Sequence, residues 1–208
     1  MSSSSLGSRL ALALSAVGLL CAAAASAVHA ADPSGDLFAV LHAAASTAPD
    51  PRQAKVISGL IGTWDVEYLD INKAGVTTRR TGQFVASWVL DGRAMQDVWI
   101  VDRSGKRTTR EVYTDLRWFD PKTGTWPAVF FDPERASIAT FTGEAATADR
   151  IVLHSPDLGT ADSRWSFVDI GPDSFDFRDE GSNDGGKTWR LRSEYHMRRR
   201  AGRSESPG

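Results

Sequence analysis

The chain has 208 residues, 41% of them hydrophobic and 24% charged, with a formal net charge of −2. That is enough for one domain with its own core, and it excludes the sequence-wide basic field of a nucleic-acid or anionic-membrane binder. Seven Trp and nine Phe against three Tyr is a heavy aromatic load, suited to packing a sheet interior or lining an apolar cavity.

Residues 1–30 read as a signal peptide, which implies a periplasmic or secreted protein. Arg9 supplies the positive start, Leu10 to Ala27 is a small-apolar stretch broken by Ser15 and Ser26, and Val28-His29-Ala30 offers a cleavage site. A membrane span is the competing reading, but the run is Ala-rich and lacks a downstream anchor, so no membrane association is expected after processing. Cleavage removes the one Cys, Cys21, together with Arg9, so the mature chain is one unit more negative. It then has no disulfide, thiol nucleophile or Cys metal ligand.

A helical cap is expected over residues 31–61. Leu37, Val40, Leu41 and Ala44 form one stripe within Asp36–Ser46. Asp50-Pro51 reads as an N-cap and first helical residue, with Val56, Ile57 and Leu60 on one face of the helix that follows. From Gly62-Thr63-Trp64 the period switches to two: Trp64, Val66 and Tyr68 face one way, Asp65 and Glu67 the other.

Further strands are predicted over about 76–90, 93–101, 108–119, 125–131, 137–142, 150–154, 164–170 and 174–181, before a last one from Trp189 to Met197. Turn signals separate them at Asn72-Lys73-Ala74-Gly75, Asp91-Gly92 (a two-residue hairpin), Arg103-Ser104-Gly105-Lys106 and Asp120-Pro121-Lys122-Thr123-Gly124. Pro127 inside an aromatic strand points to an edge or bulge. Regular spacing of this kind predicts an all-β protein, a single antiparallel meander β-barrel of 8–10 strands over residues 62–198, preceded by one or two short helices. Residues 199–208, rich in Arg, Gly, Ser and Pro, are expected to be a disordered tail.

Ser182-Asn183-Asp184-Gly185-Gly186-Lys187-Thr188-Trp189 matches the Asp-box pattern. Asp184 accepts local backbone bonds, the glycines allow positive φ, and Trp189 anchors the next strand. One copy argues for a turn, not a propeller. If Phe175 and Phe177 share a face with Trp189, Leu191 and Tyr195, the hairpin needs an odd loop or a bulge, for which Gly185-Gly186 is suited. Asp176, Arg178 and Glu180 then form a charge ladder with Arg190, Arg192 and Glu194 on the other face.

No His spacing suits a metal and no hydrolase elbow occurs, so no catalytic residue and no metal site is assigned. His154 and His196 leave an axial haem ligand open. Asp65 and Glu67 lie about 7 Å apart on one strand face, most simply as an outward polar face. Asp97 shares a face with apolar Met95 and Trp99, which suits a buried carboxyl with a raised pKa.

Gly62-Thr63-Trp64 on the first strand and Arg198 at the end of the last resemble the lipocalin/calycin pattern, which implies an Arg198 cation lying over the Trp64 indole to close the barrel base. The runs LIGTWDVEY, LDGRAMQDVW, RWFDPKTGTW and SNDGGKTWRLRSEYHMR resemble an uncharacterised bacterial family of exported lipocalin-like barrel proteins, about two thirds of the chain being covered. That resemblance implies the fold and no established activity. Nitrobindin-like haem barrels are more distantly similar.

The leading expectation is a barrel that binds or carries a small apolar molecule, lined by Phe84, Trp88, Asp97, Trp99, Trp165, Phe167, Phe175 and Phe177, with no obligatory cofactor and no nucleic-acid partner. Gly62, Trp64, Asp184, Gly186, Trp189 and Arg198 are expected to be structural. The alternatives are an isomerase or cyclase using a buried carboxylate such as Asp97, a haem-binding barrel, and a filled structural barrel. Oligomeric state is open.

Overall fold

The computed structural model describes residues 41–48, 51–103, 110–155 and 162–201. The signal peptide, residues 36–40 of the first expected helix, the Asp50 cap and residues 202–208 lie outside them. The second expected helix is present as α1, Pro51–Ser58, with Val56, Ile57 and the following Leu60 buried. The described part of the first one differs. His42–Ala43 is a short strand, β1, paired with Val89 and Trp88. The reason lies in β3 (Thr77–Val89), which outruns its neighbour β2 (Gly62–Ile71), their last pair being Gly62 with Ala86. The uncovered backbone edge takes β1 as a partner, because buried N–H and C=O groups must be bonded.

The other strands are β4 (Ala94–Asp102), β5 (Arg110–Trp118), β6 (Trp126–Asp132), β7 (Ser137–Thr147), β8 (Arg150–Ser155), β9 (Asp162–Val168), β10 (Ser174–Ser182) and β11 (Arg190–Arg199). Every neighbour from β2 to β11 pairs antiparallel with the next, and β11 pairs with β2, which closes a ten-strand meander barrel. Closure removes all free sheet edges except the short one that β1 covers. Pro127 pairs with Thr142 but lies just outside the β5–β6 ladder, whose end pair is Arg117 with Ala128, so its missing N–H costs that ladder nothing. Asp91-Gly92 sits in a four-residue loop between Val89 and Ala94, with Leu90, Asp91 and Gly92 all at positive φ, not in a two-residue hairpin.

Alternation along each strand sends one residue in two to the interior. The lower half of the barrel is solid. Trp64, Phe84, Phe167 and Phe175 are at most 1% exposed; Phe175 meets Trp64 and Phe84 edge on, the Trp64 centroid 4.6 Å away, and Phe167 at a tilt. Burying a large apolar side chain of this kind contributes roughly 1.5–3 kcal/mol. Helix α1 plugs this end: Trp64 Nε1 donates to the Leu60 carbonyl at 2.9 Å, and the helix reaches across to β7 and β8 on the opposite wall.

The cation over Trp64 is Arg199, not Arg198. Its guanidinium carbon lies 3.9 Å from the indole centroid, Nη1 donates to the Ile61 carbonyl at 3.0 Å, and Nε donates to the Pro172 carbonyl. The inward phase of β11 runs through Tyr195 and Met197, so Arg199 leaves the strand end on the interior side and Arg198 on the outer side. Gly62 is at φ 134°, and a Cβ there would stand 2.5 Å from Arg199 Nη1. Arg199 and Arg200, expected in the tail, are therefore held, Arg200 by an ion pair with Asp65.

The β10–β11 ladder does contain a bulge, but at Arg192, where pairing shifts between Asp179–Ser193 and Glu180–Leu191. Phe175 and Phe177 pair with Met197 and Tyr195 below it. Above it the phase is inverted, so Leu191 pairs with Glu180, and Trp189 packs outside the barrel beneath Arg164, 4.2 Å from guanidinium to ring. The outer ladder keeps Arg178–Glu194 and Asp176–His196, whereas Arg192 turns inward. The Asp184 carboxylate accepts from the Lys187 and Thr188 amides and from the Ser182 and Thr188 hydroxyls, which holds it at about 2. Gly185 and Gly186 take φ of 70° and 77° in this turn.

Candidate functional site

At the end opposite α1 the barrel is hollow. A cavity of about 260 Å³ opens there, walled by Trp99, Tyr113, Phe130, Trp165, Phe177 and Tyr195. Ligand pockets commonly run from roughly 300 Å³ upward, so this one suits a small ligand. The rings brace one another. Trp99 lies parallel to Tyr113 and Phe177 to Tyr195, while Phe130 meets both Tyr113 and Trp165 edge on. Their polar handles are anchored: Trp165 Nε1 donates to Asp179 at 3.1 Å, and the Tyr195 hydroxyl to Asp70 at 3.3 Å. Burial keeps the Tyr113 and Tyr195 hydroxyls protonated, pushing both pKa values up.

Charged side chains rim the mouth in a connected run. Arg80 donates to Asp70 at 2.6 Å and to Glu111 at 3.0 Å. Arg135, in the turn after β6, pairs with the same Glu111 and with Asp132 at 2.5 Å. Burial acts to raise the Asp132 pKa, but the Arg135 side chain and the amides of Glu134 and Arg135 overcome it and hold the carboxyl below its usual value. Across the mouth, Arg192 grips Asp179 and donates to the Ser163 hydroxyl at 2.5 Å. The bulge in β11 is what turns Arg192 toward this interior position.

Below the rings lies a buried ionic layer. Asp97 and Asp115 are direct partners across β4 and β5, and Arg117 follows two residues along. All three are at most 1% exposed. Arg117 Nη1 lies 2.6 Å from Asp97 Oδ2, although its alignment does not make a hydrogen bond. Trp99 Nε1 donates to Asp115 Oδ2 at 3.1 Å. Among the described residues, no donor bonds Asp115 Oδ1 or either Asp97 oxygen. Like charges directly opposite on neighbouring strands repel. Desolvation raises both carboxyl pKa values, Asp97 further, and Arg117 works against it. The consistent state is a pair that shares one proton beside one guanidinium. Asp115 belongs to this layer and also lines the cavity floor.

Of the residues expected to line a pocket, the structure brings Trp99, Trp165 and Phe177 to the cavity. Phe84, Trp88, Phe167 and Phe175 lie in the solid half, and Asp97 lies in the ionic layer behind Asp115. His154 is exposed on the outer wall near Trp189, and His196 pairs with Asp176 outside, so no histidine among the described residues lines the cavity. Asp65 and Glu67 also face out, paired with Arg200 and Arg79. The residues not anticipated are the rim and the floor: Asp70, Arg80, Glu111, Tyr113, Asp115 and Asp132, with Arg135 and Asp179. Period-two reading of the strand at 108–119 carried the signal, since it sets Glu111, Tyr113, Asp115 and Arg117 on one face.

No family model matches the chain, and no curated protein matches it. Among solved structures it is similar to the S-type phycobiliprotein lyase CPES from Guillardia theta, with a TM-score of 0.47 and 12% identity over 70% of this chain and 90% of that one. It is also similar to a redesigned beta barrel, with a TM-score of 0.36 and 14% identity over 71% of this chain and 96% of that one. What fold and cavity define is a closed meander barrel, plugged by a helix at one end and open to an aromatic, carboxylate-rimmed cavity at the other.

Proposed function

We propose that the chain is an exported barrel that binds a small molecule in this mouth cavity. The observation that carries the reading is the division of one interior into a solid half and a hollow half. The same aromatic residue types are buried against one another near α1, yet stand apart around about 260 Å³ at the mouth. A barrel built only for stability gains from filling such space, because a void forfeits packing contacts. The amino-terminal apolar stretch supports export, and the exported protein should begin at Ala31 when its terminus is sequenced.

Ser137, half-buried on the cavity wall, provides the test of binding. Protein exported by its native host is to be extracted and its small molecules identified by mass spectrometry. Ser137→Trp places an indole in the cavity without touching the solid half. Recovery of a stoichiometric molecule that Ser137→Trp loses supports the reading. Clean protein, with no response of Trp emission to small neutral aromatics, overturns it.

A second reading has one specific observation in its favour. Asp115 couples the cavity floor to a carboxyl pair sharing a proton, the arrangement a general acid or base needs. In that reading the barrel is an isomerase-type enzyme, with Asp115 as the acid or base and Asp97 behind it. Turnover of a bound molecule abolished in Asp115→Asn, with binding retained, would favour it.

A further inference from the structure

We infer that the ligand of the mouth cavity is a small organic cation, a protonated amine carried on an aromatic or aliphatic group. The inference rests on the binding role proposed above and adds the charge of the ligand.

Two independent features point the same way. The first is the wall. Among the described residues, six aromatic rings surround the space and no aliphatic side chain lines it. Aromatic faces carry negative potential and attract cations, most strongly where water is excluded. An apolar ligand is served equally well by Leu, Ile and Val, which the barrel uses elsewhere: Val66, Val101, Ile151 and Leu153 are all buried interior residues outside the cavity.

The second is the charge. Among the described residues, five carboxyl side chains line the cavity against two guanidiniums. Arg192 and Arg117 brace this set from behind, and carboxyls still outnumber guanidiniums. The rim carboxylates are fixed by their arginines, so they cannot fold away from the opening. A low-dielectric mouth focuses the field of such an excess along its axis. At the floor stands Asp115, buried and paired across the strands with Asp97. An ammonium entering the mouth meets the rim carboxylates and has rings on its sides.

The test uses three molecules of one shape. The exported protein is titrated with 2-phenylethylammonium, 2-phenylethanol and phenylacetate, followed by emission of the Trp side chains. The ammonium is expected to bind roughly tenfold or more tightly than the alcohol, and the anion most weakly. Phe130→Leu, on the wall, and Glu111→Gln, on the rim, should each reduce that ratio while the alcohol's affinity changes little. Two variants are used so that the result does not depend on either one folding, and each is checked by near-ultraviolet circular dichroism.

Equal binding of ammonium and alcohol overturns the cation inference and leaves the cavity reading intact, provided that Ser137→Trp abolishes both. Tightest binding of phenylacetate overturns it too, and makes Arg80 and Arg135 the anchors. Binding of none of the three to folded protein also overturns it, and extraction of the exported protein then decides separately whether the cavity is used at all.

Discussion

Asp97 and Asp115 stand directly opposite each other on neighbouring strands, 0% and 1% exposed, and among the described residues one guanidinium, that of Arg117, serves both. Two carboxylates and one cation cannot share a dry layer without a proton. The folded pair therefore keeps a proton that the unfolded chain gives up above its ordinary carboxyl value of 3.8. Raised folded pKa values mean that the folded state binds more protons in that window, so stability falls as pH rises through it. The slope should reach at most about 1.4 kcal/mol per pH unit. Denaturant titrations from pH 4 to pH 8 measure it. Asp97→Asn, which carries the shared hydrogen permanently, should flatten the profile; an unchanged slope would refute the shared proton.

Removing the cation from this layer is expected to be costly. Arg117→Met leaves two carboxyls facing each other in the core and should destabilise by about 3–5 kcal/mol. Replacing all three residues with apolar ones of similar volume should cost far less, because the desolvation penalty disappears with the charges. Comparing the single and triple variants by chemical denaturation separates the two effects.

Arg198 and Arg199 are adjacent and chemically identical, yet only Arg199 closes the base. Arg199→Ala should cost about 1–2 kcal/mol, from the ring contact and the bond to the Ile61 carbonyl. Arg198→Ala should stay within about 0.5 kcal/mol. Equal effects of the two substitutions on the melting temperature would contradict the assignment.

Gly82 faces inward on β3, where a Cβ would stand 1.9 Å from the Ile100 carbonyl oxygen and 3.1 Å from the Tyr68 ring. Gly82→Ala must displace backbone, so a loss of about 1–3 kcal/mol is expected. Gly75→Ala makes a contrast: its Cβ meets nothing, and only its φ of 78° is unfavourable. Thermal unfolding of the pair shows whether the close approach or the backbone angle matters more.

Much of this barrel is legible in the sequence, for a physical reason. Period two, punctuated by Asn, Asp, Gly and Pro, is a local property, and it placed strands such as Ser174–Ser182 and Arg150–Ser155 to within a residue. What failed was phase across an irregularity. The bulge at Arg192 inverts the faces of Leu191 and Trp189, and nothing in Arg190-Leu191-Arg192-Ser193 announces it. Arg199 is a different case. The parity that sets Tyr195 inside and His196 outside already makes Arg198 an outward residue. The cavity was harder still. Trp99 and Phe84 lie on the interior faces of adjacent strands and pack against each other, yet only Trp99 borders the cavity, a difference that local sequence pattern does not carry. Asp115 acquires its meaning from Asp97, a strand away.

The pairing of β11 with β2 joins the two ends of the barrel chain, whereas every other ladder of the barrel joins consecutive strands. Those other ladders close short loops, and this one must gather the whole barrel sequence, so loop entropy makes it the slow, late event of assembly. It also brings Trp64 beside Arg199, so a short linker could join the two ends of the barrel segment. A circular permutant opened at the exposed Asn72–Gly75 turn would turn the longest-range ladder into a hairpin. Such a chain should reach the same barrel, with the β2–β3 ladder as its late, long-range closure in place of β11–β2.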